Sequence, residues 1–199
     1  MLAISLWTSL LGLTEPFFVS EYWNPPSLFD LARRTGFDIE SLVFAFAAGG
    51  IVFSFYNLLF RKSEIRMSES ISHSHRHRFH RATLWSVPVI IVVLYFTISL
   101  NPIYDFIIAG VIGGLLALYC RPDLAKKMFT SAGLFLVFYY FYFLTLVVVY
   151  PGYVERVWNL KNLSGILITG VPLEELLFAI VFGLYWSSIY EHFTWKKLK

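Results

Sequence analysis

Long uncharged, strongly apolar runs occupy positions 1–14, 41–60, 82–104, 106–120, 128–154 and 176–190, and the charged residues fall almost entirely between them. A helix needs about 20 mostly apolar residues to cross the roughly 30 Å of a bilayer's hydrocarbon. The pattern therefore predicts about six transmembrane helices, an all-α polytopic membrane bundle forming a single membrane domain over 1–199. The first run is short. It lacks the basic leader and small-residue cleavage site of a signal peptide, so it is read as a helix. Nothing in the spacing has the strand–helix alternation of a nucleotide-binding α/β enzyme.

Composition agrees with that pattern. The 199 residues are 57% hydrophobic, 19% aromatic and 15% charged, whereas soluble domains carry about 25% charged residues. A core of this size cannot hide so much apolar surface, so the remainder must meet lipid. The single cysteine, Cys120, excludes an internal disulfide. The net charge of +3 does not form a nucleic-acid face, because the basic residues collect in loops. Segment 61–81 holds Arg61, Lys62, Arg66, Arg76, Arg78 and Arg81 against Glu64 and Glu69; 121–127 and the tail are also basic, while 15–38 is acidic. The positive-inside rule then puts both termini and the basic loops in the cytoplasm, with the protein integral to the cytoplasmic membrane. The loops carrying Trp23 and Trp158 face out.

The chain also resembles itself. Aligning 16–57 with 151–191 across one gap gives 41 pairs, of which 14 are identical. They include Trp23/Trp158, Asn24/Asn159, Gly36/Gly170, Glu40/Glu174, Phe44/Phe178 and Gly49/Gly183. Apolar bias accounts for the Phe, Leu and Ala matches but not for paired Trp-Asn, Gly and Glu at common spacing. The reading is a parallel internal repeat. Repeat A covers 1–60 and repeat B 128–191, joined by two helices and a basic cytoplasmic loop over 61–127.

The sharpest chemical feature is Pro172-Leu173-Glu174-Glu175-Leu176-Leu177-Phe178. Carboxylates in a first turn suit the helix dipole, and capping alone would explain them. Length argues for more. The 15 uncharged residues 176–190 span only about 22 Å, so the glutamates must reach the hydrocarbon edge, where ionisable groups are functional candidates. Adjacent helical residues point about 100° apart. Glu174, on the face of Phe178 and with Glu40 as its aligned partner, is taken as the cavity-facing acid. In repeat A, Asp38 stands for the proline and Ser41 for the second glutamate. Glu40, Asp105, Glu174 and Glu175 are expected to ring one cavity, with Trp23, Trp158, Phe44 and Phe178 lining it against substrate. A carboxylic acid in apolar surroundings is a strong proton donor, and aromatic walls stabilise a carbocation. Such a site suits proton-initiated chemistry on a polyene arriving from the lipid.

The Pro-x-Glu-Glu signature, the upstream Trp158, the repeat and the six short helices resemble the lycopene cyclase domain family, most strongly over 121–191. The resemblance implies a carotenoid cyclase of the lycopene β-cyclase type, an isomerase (intramolecular lyase) that closes the linear ends of lycopene into rings without net redox change. It implies Glu174 as proton donor or final proton acceptor, with Glu175, Glu40 and Asp105 in support. Family members act alone, as heterodimeric subunits or in fusions, which leaves room for a homo- or hetero-oligomeric partner beside membrane lipids. No cofactor and no metal are expected: there is no Gly-x-Gly-x-x-Gly for a flavin.

The CAAX-type intramembrane proteases need an arginine four residues after the second glutamate, where this chain has Ala179. His73, His75, His77 and His80 could ligate zinc or copper if helical. The favoured reading is a basic loop attracted to anionic headgroups. The alternative function is a non-enzymatic lipid-binding, transport or assembly subunit that keeps its acids for pairing.

Overall fold

The computed structural model describes residues 1–61, 64–67, 77 and 80–198. His73 and His75 lie outside them. Among them eight α-helices follow in chain order: α1 (Leu2–Ser9), α2 (Leu31–Thr35), α3 (Ile39–Leu59), α4 (His80–Thr97), α5 (Pro102–Cys120), α6 (Ala125–Val149), α7 (Tyr153–Val157) and α8 (Leu173–Thr194). Among the described residues, five are long and apolar enough to cross a bilayer: α3, α4, α5, α6 with the turn before it, and α8. The architecture is the expected all-α membrane bundle.

The first run departs from expectation. Instead of one spanning helix it forms α1 and then a 3-10 stretch, Leu10–Phe17. Pro16 explains the change, because it has no amide to donate and its ring clashes with the carbonyl four residues back. The segment lies antiparallel along α3, with Thr8 against Gly49 and Gly12 against the Leu42 backbone. It stands outside the five long spans.

Helix starts are locally encoded. Asp38 caps α3 by accepting from the Ser41 amide at 2.5 Å, and Asn101 does the same for α5 ahead of Pro102. Helix α8 starts at Leu173, three residues before the uncharged run, so its 22 residues carry both glutamates in the first turn. At about 33 Å the helix is long enough to span.

Gly183 brings α8 onto α6: a Cβ there would lie 2.7 Å from Ala132 Cα, whereas one at Gly133 would meet nothing within 4 Å. Gly183→Ala should therefore cost about 1–3 kcal/mol by forcing two backbones apart. Gly133→Ala should be neutral or stabilising by up to about 1 kcal/mol. Unfolding midpoints of the two variants in detergent would show this; equal midpoints would contradict the packing described.

Two loops meet at one end of the bundle. The Asn24 amide donates to Val157 O at 2.7 Å and the Asn159 amide to Tyr22 O at 2.9 Å, an exchange between aligned positions. The Trp23 and Trp158 rings lie 5.3 Å apart. Arg121, Lys127 and Lys196 stand at the other end. There Arg121 grips Asp123 through two bonds and reaches the carbonyls of Glu191 and Lys196, and buried Lys127 pairs with buried Glu191. The strand β1 (Glu64–Arg66) pairs antiparallel with the C-terminal strand Lys196–Leu198, tying the basic loop to the tail.

Candidate active site

A cavity of about 1430 Å³ runs between the first segment, α3, α4, α5, α6 and α8. Its walls are overwhelmingly aliphatic and aromatic. All four expected substrate-contact residues, Trp23, Trp158, Phe44 and Phe178, line it. Phe178 sits tilted between two rings, 5.3 Å from Phe106 and 5.9 Å from Tyr139. Phe44 is 6.1 Å from Tyr139.

The four expected acids are placed differently from one another. Glu175 is buried in the cavity wall. Its Oε1 accepts from Tyr22 Oη at 2.5 Å and Trp158 Nε1 at 2.8 Å, and its Oε2 from Tyr139 Oη at 2.6 Å. Glu174 is buried but is not part of that lining. Its Oε1 accepts from Tyr104 Oη at 2.7 Å and from the Ser164 amide at 2.8 Å. It fastens the segment that leads through the short hairpin Leu167–Ile168/Val171–Pro172 into α8. The helix start turns Glu174 toward this segment, and the 100° step to the next residue carries Glu175 to the cavity. The cavity-facing place expected of Glu174 is thus taken by Glu175.

Glu40 lines the cavity mouth, exposed, and accepts from the Leu28 amide at 2.7 Å. Glu40 therefore holds the loop before its helix much as Glu174 holds the one before α8. Asp105 is buried in the cavity wall, and neither of its carboxyl oxygens has a hydrogen-bond partner among the described residues.

Two of the three groups that hold Glu175 were absent from the sequence reading. Tyr22 comes from repeat A, where its aligned counterpart is Val157, so the repeat conceals it. Tyr139 sits mid-helix among aromatic neighbours that give it no distinguishing pattern. Tyr22 lies outside the long spans, and its hydroxyl pKa is pushed well above the ordinary tyrosine value, first by burial and then by the Glu175 carboxylate. It is a hydrogen-bond donor at any physiological pH.

Away from the cavity, His77, His80 and Cys120 bring ligand atoms within 4.8 Å of one another. His80 Nδ1 is 3.3 Å from Cys120 Sγ, while its Nε2 lies 2.9 Å from the His192 carbonyl. This trio could hold a soft divalent ion, whereas the sequence reading expects no metal and a basic loop attracted to headgroups.

Fold and cavity together define a polytopic α-helical membrane protein with buried carboxyls set into an aromatic, apolar chamber. Residues 101–193 match the family model described as lycopene cyclase, and this match supports a lycopene cyclase domain there. The matched stretch contains Asp105, Tyr139, Trp158, Glu174 and Glu175. No curated protein and no solved structure matches the chain. The family supports carotenoid cyclase function in general, and with five long apolar helices it marks an integral membrane protein.

Proposed function

We propose that the protein closes the end group of a linear, lycopene-type polyene by proton-initiated, non-redox cyclisation, acting as a β-cyclase-like isomerase without a cofactor. The observation that carries this reading is Glu175: a buried carboxyl, held by three donors, in the wall of a cavity otherwise suited to hydrocarbon. A proton added to the terminal double bond leaves a tertiary cation. The neighbouring π pair then forms the ring bond, and loss of a proton restores a double bond, so composition is unchanged. Glu175 exchanges a proton with the end group. Trp158, Tyr139 and Phe178 present ring faces to the cation, an attraction of about 2 kcal/mol or more in a desolvated site. Asp105 stands in the same wall to move protons, and Glu174 and Glu40 are positioning residues.

The polyene enters from the bilayer through the lipid-facing mouth, where Trp85, Phe96 and Phe193 are exposed. Clustering of the basic loops and tail at the far end of the bundle favours cytoplasmic termini and an outward-side acid site. The internal repeat, with its paired Trp-Asn loops, belongs to the same reading.

Expression in a bacterium that accumulates lycopene, followed by chromatography and absorption spectra, tests the proposal. One or two rings on the product are expected. In the same assay Glu174→Gln should lose no more than about tenfold, because the amide oxygen still accepts from Tyr104 and Ser164 and only the strength of charge-assisted bonds is lost. Lycopene and longer linear carotenoids left unchanged, with the protein in the membrane, would sink the cyclase reading.

A further inference from the structure

Glu15 is buried in the wall of the same cavity. Its Oε1 accepts from Trp23 Nε1 at 2.7 Å, just as Glu175 accepts from Trp158 at 2.8 Å. Trp23 and Trp158 are aligned in the repeat and in ring contact. The two carboxyls do not align: the position matching Glu175 is Ser41, and the Ser41 side chain lies beside Glu15. The acid that the aligned stretch of repeat A lacks in sequence is thus supplied in space from the first segment, one residue before that stretch begins.

We propose that Glu15 is a second proton-transfer carboxyl of this cavity, giving the proton that starts cyclisation while Glu175 receives the proton lost at ring closure. The proposal rests on the cyclase reading. Proton-initiated ring closure needs both an acid and a base around one end group, and the two carboxyls flank one Trp pair. Three donors aimed at Glu175 form the arrangement of an acceptor. Glu15 has fewer, with Trp23 donating to it and Ser41 nearby, and Asp38 at the head of α3 is a charged group beside it. Glu15 lies beyond the 1–14 run and outside the five long spans. Burial above all pushes its carboxyl up to about 7, with Asp38 adding to the effect, so a large fraction carries its proton at neutral pH.

The step balances. The Glu15 O–H bond breaks as a C–H bond forms on the inner carbon of the terminal double bond, leaving a carboxylate and a tertiary cation on the outer carbon. The next double bond supplies the pair for the ring C–C bond and passes the positive charge to its own far carbon. A C–H pair beside that carbon becomes the new double bond, and its proton goes to Glu175. Water returns the proton from Glu175 to Glu15 before the next turnover.

The test compares wild type, Glu15→Gln and Glu15→Gln/Ser41→Glu in membranes supplied with lycopene, with each protein quantified. Glutamine still accepts from Trp23, so the fold is kept. Glu15→Gln should lose about 100-fold or more, the usual contribution of a general acid. Moving the carboxyl to position 41 should restore at least about a tenth of the wild-type rate, within the range over which a displaced acid still works. The wild-type rate should fall as pH rises through about 7, since the donor must be protonated, and Glu15→Gln should lack that limb. An active wild type with Glu15→Gln at more than about a third of its rate, or a loss that Ser41→Glu leaves untouched, overturns the assignment. An inactive wild type instead removes the cyclase reading on which it rests.

Discussion

Glu175→Gln is expected to lower ring formation by about 10²–10⁴-fold while leaving the amount of folded protein in the membrane unchanged. Glutamine has the same shape and keeps one oxygen to accept from Trp158 and Tyr22, which hold Glu175 Oε1 at 2.8 and 2.5 Å. Its amide nitrogen would face Tyr139, whose hydroxyl oxygen can turn to accept from it. What disappears is a carboxyl able to take or give a proton. Product per unit of membrane protein in lycopene-accumulating cells reads the effect, and Glu174→Gln is the internal comparison. Activity within about threefold of wild type would be too small a loss for a proton-transfer group and would move that role to another acid in the cavity.

The other large effect concerns stability at the opposite end of the molecule. Lys127 of α6 and Glu191 of α8 form an ion pair whose side chains are both 0% exposed. Lys127→Met should destabilise by about 3–5 kcal/mol, because it removes the buried cation that faces the Glu191 carboxylate. The double change Lys127→Met/Glu191→Leu should recover most of that loss, since two apolar side chains need no pairing. Denaturation in detergent would measure both. Glu191 lies 16 residues beyond Glu175 on one helix, about 24 Å away, so activity per folded molecule should hardly change. Equal destabilisation of the single and double variants would show that packing, not the ion pair, governs this region.

These expectations differ in how far they could be read from the chain. The dependence on α8 was visible because Pro172, Glu174 and Glu175 stand together at the head of a short apolar run. Which glutamate faces the cavity was not visible. Alignment favours Glu174, since Glu40 is its counterpart, but that shared place is a hold on the preceding loop, at Ser164 in one half and Leu28 in the other. The repeated residue Glu174 holds the preceding segment, and the unrepeated Glu175 reaches the cavity. A helical step of about 100° separates the two roles, and the direction of that step depends on how the helix is seated.

The sequence by itself determined the membrane class, the long helices, the gathering of aromatic and acidic groups toward one end, and the places of Trp23 and Trp158. Hydropathy, loop charge and helix-start chemistry act over one or two turns and are written locally. The tertiary structure decided the break of the first run into α1 and a 3-10 stretch pressed on α3. It also decided the joining of Tyr22, Tyr139 and Trp158 on one carboxyl, the meeting of Glu15 with Ser41 and Trp23, and the pairing of Glu64–Arg66 with Lys196–Leu198. Each of these joins segments far apart in the chain, and only close packing of the helices brings them within hydrogen-bonding distance.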